Sequence, residues 1–224
     1  MRRWLHDNSL SLACLVMFLL SLLGHAIAGQ KAFNEEQLTH GGGTISFGRY
    51  VVSSHFGQAM LENWQSEFLQ FSFFILATVW LVQRGSNESK QIDEVGLESD
   101  QKQKIGDYAE ERSPWWAKTG GWRTAIYSNS LMIAMATIFL AAWATQSVTG
   151  WTAFNDEQRE HDEPTVSWAG YLARPDFWEK TFQNWQSEFL AVGTMAVFTI
   201  YLRQRGSPES KPVGAPHEET ATSG

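Results

Sequence analysis

With 224 residues, a net charge of −7 and no basic stripe, the chain is poorly suited to bind nucleic acid, and its single cysteine, Cys14, excludes an internal disulfide framework. Its mean hydropathy of −0.26 would pass for that of a soluble protein. The average conceals a segregation, because the apolar residues gather in four blocks, roughly 9–28, 66–82, 126–148 and 187–202, with most of the charges between them.

From Leu10 to Ile27 the first block has no charged side chain apart from His25 when protonated. A bilayer core of ~30 Å is crossed by about 20 helical residues, so this block and the third are long enough to span. An amphipathic helix of a soluble bundle would keep a charged face at three- and four-residue spacing; this block has none. Met1-Arg2-Arg3, an apolar run and Ala26-Ile27-Ala28 also have the form of a secretory signal with a small-x-small cleavage site. Cys14, inside the block, reads as a small hydrophobe.

Phe33-Asn34-Glu35-Glu36-Gln37 opens the first loop and predicts a short interfacial helix, capped by Asn34 and with acids in its first turn. Continuing that helix sets Glu36 and His40 four apart on one face, a weak candidate for metal binding beside the commoner capping role. Gly41-Gly42-Gly43 then reads as a flexible turn.

The second helix is expected to begin near Ser54 or His55 and to carry Asn63-Trp64-Gln65-Ser66-Glu67-Phe68-Leu69 into the second apolar block. Counting back about 20 residues from Val82 sets Asn63 at the outer membrane boundary, with Glu67 ~6 Å deeper. A carboxylate facing lipid costs roughly 2.5–3.5 kcal/mol, so Glu67 should face the bundle or a water-filled cavity. Asn63, Glu67 and Gln70 form a polar stripe on one helix face, continued by Thr78. Trp64 reads as an interfacial anchor, Arg84 as a cytoplasmic anchor ending the helix, and Gly85 as its C-terminal cap. The stretch 87–113, rich in Glu, Asp, Gln, Lys and Ser, reads as a solvated linker. Trp115, Trp116, Lys118 and Trp122 after it suit the lipid headgroup zone.

Beyond the linker the sequence returns. Asn184-Trp185-Gln186-Ser187-Glu188-Phe189-Leu190 is identical to the earlier seven residues at an offset of 121, and 33 of the 83 positions from 8 to 90 are identical to their partners at that offset without a gap. The chain therefore reads as a tandem duplication. The second copy has its own stripe in Asn184 and Glu188, with Ala191 in place of Gln70. Its anchors are Trp185 and Arg205, its initiation signal is Pro175-Asp176, and its Glu/His pair is Glu157 with His161. The equivalent of the first block lies mid-chain, where it must be retained as a helix, which favours an uncleaved first helix too.

Lys and Arg cluster before the first block, between the second and third, and after the fourth, while the other two loops hold only Lys31, Arg49, Arg159, Arg174 and Lys180. By the positive-inside rule both termini are cytoplasmic. Each copy would contribute two helices in the same orientation, related by a pseudo-twofold axis along the membrane normal.

Arg-Arg-x-Leu-x-Asp-Asn-Ser-Leu-Ser-Leu at the start, Phe-Asn-Glu-Glu-Gln in the loop, Asn-Trp-Gln-Ser-Glu-Phe-Leu-Gln and Val-Gln-Arg-Gly-Ser-x-Glu-Ser-Lys together resemble an uncharacterised family of bacterial integral membrane proteins, known as a domain of unknown function. The resemblance covers nearly the whole chain and implies a membrane location; it carries no activity or catalytic residue.

The resulting expectation is an all-α membrane protein of four transmembrane helices from two tandem two-helix repeats, at 1–91 and 122–206. A polar cytoplasmic linker at 92–121 and a disordered cytoplasmic tail at 207–224 complete it. Gly-x-Ser-x-Gly, His-Glu-x-x-His, phosphate-loop and Cys-x-x-Cys signatures are all missing, so no enzyme activity, cofactor or firm metal site is expected. A structural or partner-binding protein of the bacterial inner membrane ranks first, its partners the lipid bilayer and either a second copy or another membrane protein. A small channel or proton-linked transporter, then a membrane-embedded metal-dependent enzyme, are the alternatives.

Overall fold

A computed structural model describes residues 2–222, without the Arg2 side chain; Met1 of the basic N-terminal run and Ser223 and Gly224 of the tail lie outside the described residues. The helices, in chain order, are α1 (Arg2–Asp7), α2 (Ser9–Thr39), α3 (Phe47–Tyr50), α4 (Ser54–Trp80), α5 (Trp115–Lys118), α6 (Gly121–Ser128), α7 (Ser130–Glu160), α8 (Trp168–Leu172) and α9 (Pro175–Tyr201). Short 3-10 turns at Ile92–Glu94 and Gly106–Tyr108 interrupt the linker, and there is no strand among the described residues. The fold is α-helical.

Two helices, α2 and α7, are long and apolar enough to cross a membrane, with mean hydropathies of 2.3 and 1.7 in their most apolar stretches. The core helix of a soluble protein can match that composition, but it is enclosed by its neighbours. Here only 6% of the apolar stretch of α2 and 17% of that of α7 is buried. Leu10, Met17 and Leu20 are each more than half exposed. Helices α4 and α9, at 27 residues each, have the length to span, but their N-terminal parts are too polar to meet the same measure.

The starts of α4 at Ser54 and α9 at Pro175 fall where the sequence signals place them, Pro175 occupying the first turn, where its missing N–H costs nothing. The expected short interfacial helices do not form separately. Each is the continuation of a 31-residue helix, and Asn34 and Asn155 lie inside α2 and α7 instead of capping anything. Their amides are used otherwise. Asn34 accepts from the Ile45 backbone N–H (2.8 Å) and donates to the Ile45 carbonyl (3.1 Å); Asn155 makes the same pair of bonds with Val166 (both 2.9 Å). Arg84 and Arg205 likewise do not end their helices, since α4 stops at Trp80 and α9 at Tyr201. Gly85 (φ +86°) and Gly206 (φ +81°) supply the left-handed position of the turns closed by Ser86 N–H to Gln83 O and Ser207 N–H to Gln204 O.

The chain packs as two compact units, each drawing on both halves of the sequence: Met1–Leu61 with Gln146–Tyr171, and Glu62–Thr145 with Leu172–Gly224. In the first, Ala26, Tyr50 and Phe56 form a core surrounded by Leu22, Phe33, Ile45, Val51 and Met60. The Tyr50 hydroxyl lies against Gly29 and that of Tyr171 against Gly150, so closely that a methyl group at either glycine would overlap it. In the second unit, Trp143 packs against Phe177, Trp178 and Trp185, and Trp178 against Phe182, an aromatic cluster at the foot of the motif.

Candidate functional site

The repeated seven-residue motif draws attention first, and its two copies have opposite environments despite identical sequence. In α4, Gln65 is fully buried and Ser66 almost so; in α9, Gln186 and Ser187 are exposed. The two helices meet here within the second unit. The Trp185 indole N–H donates to Gln65 Oε1 (2.7 Å), while Gln65 Nε2 donates to the Glu62 carbonyl (3.0 Å). The single hydroxyl proton of Ser66 is shared between the Asn63 carbonyl (2.9 Å) and, more weakly, Glu188 Oε1 (3.4 Å). Lys180 Nζ stands 3.7 Å from Glu62 Oε1, and Phe73 meets Phe189 edge to face. One copy's Gln and Ser thus bond the other copy's Trp and Glu.

Of the stripe residues expected from the sequence, Glu188 is half-buried in this contact, and Asn184, also half-buried, returns its amide N–H to the Lys180 carbonyl (2.8 Å). Gln70 is half-buried; Asn63 and Glu67 are exposed. Helical periodicity finds the two faces of α4 but not which of them meets α9. Trp64 and Trp185 are both half-buried, and the Trp185 ring packs against Phe139, Trp143 and Phe182. Arg84 and Arg205 are exposed. Buried Thr181, which donates to the Phe177 carbonyl, had no signal in the sequence beyond its place two turns after Pro175.

In the first unit, the rings of His40 and His161 come together at 5.3 Å, edge to face, and Gln37 Nε2 donates to both carboxylate oxygens of Glu160. Glu36 and Glu157 are exposed, and among the described residues no three His, Cys, Asp or Glu side chains converge as metal ligands would.

The polar segments flanking the second unit's helices carry bonds that sequence reasoning missed. Lys211 is 1% exposed and its ammonium donates to the carbonyls of Pro216 (3.1 Å), His217 (2.9 Å) and Glu219 (3.0 Å); burial, then the charge of Arg203, hold its pKa below the usual lysine range. Arg203 Nη1 meets the Thr199 and Ile200 carbonyls at the end of α9, and its Nη2 meets Ala215. Thr220 Oγ1 accepts from the Gly85 N–H, and the Ala221 N–H donates to the Ser86 carbonyl. The tail expected to be without order is tied at these points to the turn after α4. Glu88 shares a hydrogen bond with Glu209, its partner at the same offset of 121, and burial together with that neighbouring carboxyl raises its pKa.

A family profile matches residues 1–222. The chain belongs to the family described as Domain of unknown function (DUF6766). No curated protein and no solved structure matches it. Membership agrees with the resemblance drawn from the motifs at the level of an uncharacterised family, and it supplies no activity to test the geometry against.

Proposed function

We propose that this is an integral protein of the bacterial inner membrane, built from two tandem copies of a two-helix unit, that crosses the bilayer four times with both termini in the cytoplasm. Its role is structural or partner-binding, and the repeated motif is the clasp that holds α4 to α9. The observation that carries the reading is the pairing of one copy of the motif with the other, Gln65 with Trp185 and Ser66 with Glu188. A polar group at bilayer depth is tolerated when it is bonded across helices. These groups are committed to one another.

Support for the membrane location comes from α7: it lies mid-chain, unlike a signal sequence, and its apolar surface is uncovered, unlike a core helix. Support for duplication comes from bonds that recur 121 residues on. The Asn34 and Asn155 pairs are one case, Gly29 with Tyr50 and Gly150 with Tyr171 another, and Gln83 N–H to Ser89 Oγ with Gln204 N–H to Ser210 Oγ (both 2.9 Å) a third. Reconstitution into sealed liposomes tests the role. A structural protein gives no proton, potassium, sodium or chloride flux above empty vesicles under either sign of membrane potential; a flux lost in Glu188→Gln would replace this reading with a channel or proton-linked carrier.

A further inference from the structure

In the first unit, the segment leading from α2 into α4 and the last turns of α7 border a cleft of ≈ 520 Å³, within the range of roughly 300–1,000 Å³ typical of small-molecule sites. Phe33, Ile45 and Val52 give it an apolar wall, and Phe33 holds the His55 ring at 4.8 Å. The rest of the lining is charged or polar. Two of its acids are already engaged: Asp156 takes the Arg159 guanidinium at 2.7 Å and the Ser54 hydroxyl at 3.5 Å, and Glu160 is occupied by Gln37. Arg49, exposed on α3, has no hydrogen bond or ion pair among the described residues. Asp156 and Arg159 neutralise each other, and Glu160 keeps its charge under a neutral amide, so among the described residues the one cation of the cleft without a partner is the Arg49 guanidinium, beside an apolar wall.

The lining of this cleft is not repeated in the sequence. At the offset of 121, Arg49 is replaced by Gly170, Val52 by Ala173 and His55 by Asp176, while Arg159 corresponds to Leu38. The asparagine bonds and the glycine–tyrosine contacts nearby are kept in both halves, so helix packing does not call for the arginine.

We propose that the cleft binds a small organic monocarboxylate, its carboxylate held by Arg49 and its aromatic or branched body laid against Phe33, Ile45 and Val52. The planar guanidinium fork matches a carboxylate with two parallel hydrogen bonds, which a lysine ammonium cannot reproduce. Asp156 and Glu160 limit the ligand to one negative group, because a second would face their carboxylates. The site is independent of how many helices cross the membrane, and its test is a solution measurement.

The full chain, purified in an uncharged maltoside detergent, is titrated with benzoate, with its neutral isostere benzamide and with the dianion phthalate, binding being followed by saturation-transfer NMR and calorimetry. Benzoate should saturate with a dissociation constant on the order of 1 mM, as suits so small a ligand. Benzamide and phthalate should bind at least about tenfold more weakly. Arg49→Gln should lose benzoate binding by a similar factor without moving the melting temperature, and Arg49→Lys should fall between. Absence of saturable benzoate binding, equal binding of benzamide, or unchanged binding in Arg49→Gln would each overturn the assignment.

Discussion

Gln65 and Gln186 occupy the same place in identical heptapeptides, yet the structure makes their replacement unequal. In Gln65→Leu the volume is nearly kept, but the Trp185 N–H loses its acceptor and the Glu62 carbonyl loses a donor in a site that is fully buried. An unsatisfied buried donor costs roughly 1–3 kcal/mol, and interhelical bonds measured in membranes average about 0.6 with a maximum near 1.7, so about 1–2 kcal/mol is expected. For a chain of this size that lowers the melting temperature by roughly 2–8 °C. Gln186→Leu, at an exposed position, should stay within about 0.5 kcal/mol of the parent. Thermal melting and denaturing-detergent titration of both variants measure the difference, and a double-mutant cycle with Trp185→Phe isolates the coupling. Equal losses at the two glutamines, or no coupling between Gln65 and Trp185, would refute the clasp.

Gly29→Ala and Gly150→Ala should each destabilise by about 1–3 kcal/mol through overpacking against a buried tyrosine, and Tyr50→Phe should recover part of the loss in the Gly29→Ala background, read from melting temperatures. A carboxyl whose pKa is raised in the folded state takes up a proton on folding. Stability contributed by Glu88 therefore falls as pH rises from the ordinary glutamate range, about 4.3, through its raised folded value. Glu88→Gln should flatten that slope and melt higher than the parent above the window; a steeper slope in the variant would contradict the Glu88–Glu209 contact. Lys211→Met leaves three carbonyls without their donor and should expose the segment beyond Pro212 to proteolysis that the parent resists, as mass spectrometry of the digest will report.

The helix starts at Ser54 and Pro175 were legible because they are written in local chemistry, as was the apolar character of α2 and α7. The continuity of α2 through Asn34 was not. An asparagine followed by two glutamates reads as a cap, and only the chain's return eleven residues later, which offers Asn34 both backbone groups of Ile45, gives its amide another use. Within the motif, periodicity separates the Asn63/Glu67 face from the Gln65/Ser66 face but cannot choose between them; the choice lies with Trp185 and Glu188 on another helix. The tail was illegible for a related reason. Its composition is that of a solvated segment, and the bonds that tie it are to backbone carbonyls around Lys211 and Arg203, which no side-chain pattern announces.

The number of membrane crossings is tested most directly by cysteine accessibility. In a Cys14→Ser background, single cysteines at Gly43, Glu98, Glu163 and Glu218 are labelled with a membrane-impermeant maleimide in intact and permeabilised bacterial cells. Four crossings predict that Gly43→Cys and Glu163→Cys label from outside, whereas Glu98→Cys and Glu218→Cys label only after permeabilisation. If α2 and α7 alone cross, Gly43→Cys and Glu98→Cys share one side and Glu163→Cys and Glu218→Cys the other, and that pattern would contradict the four-crossing account.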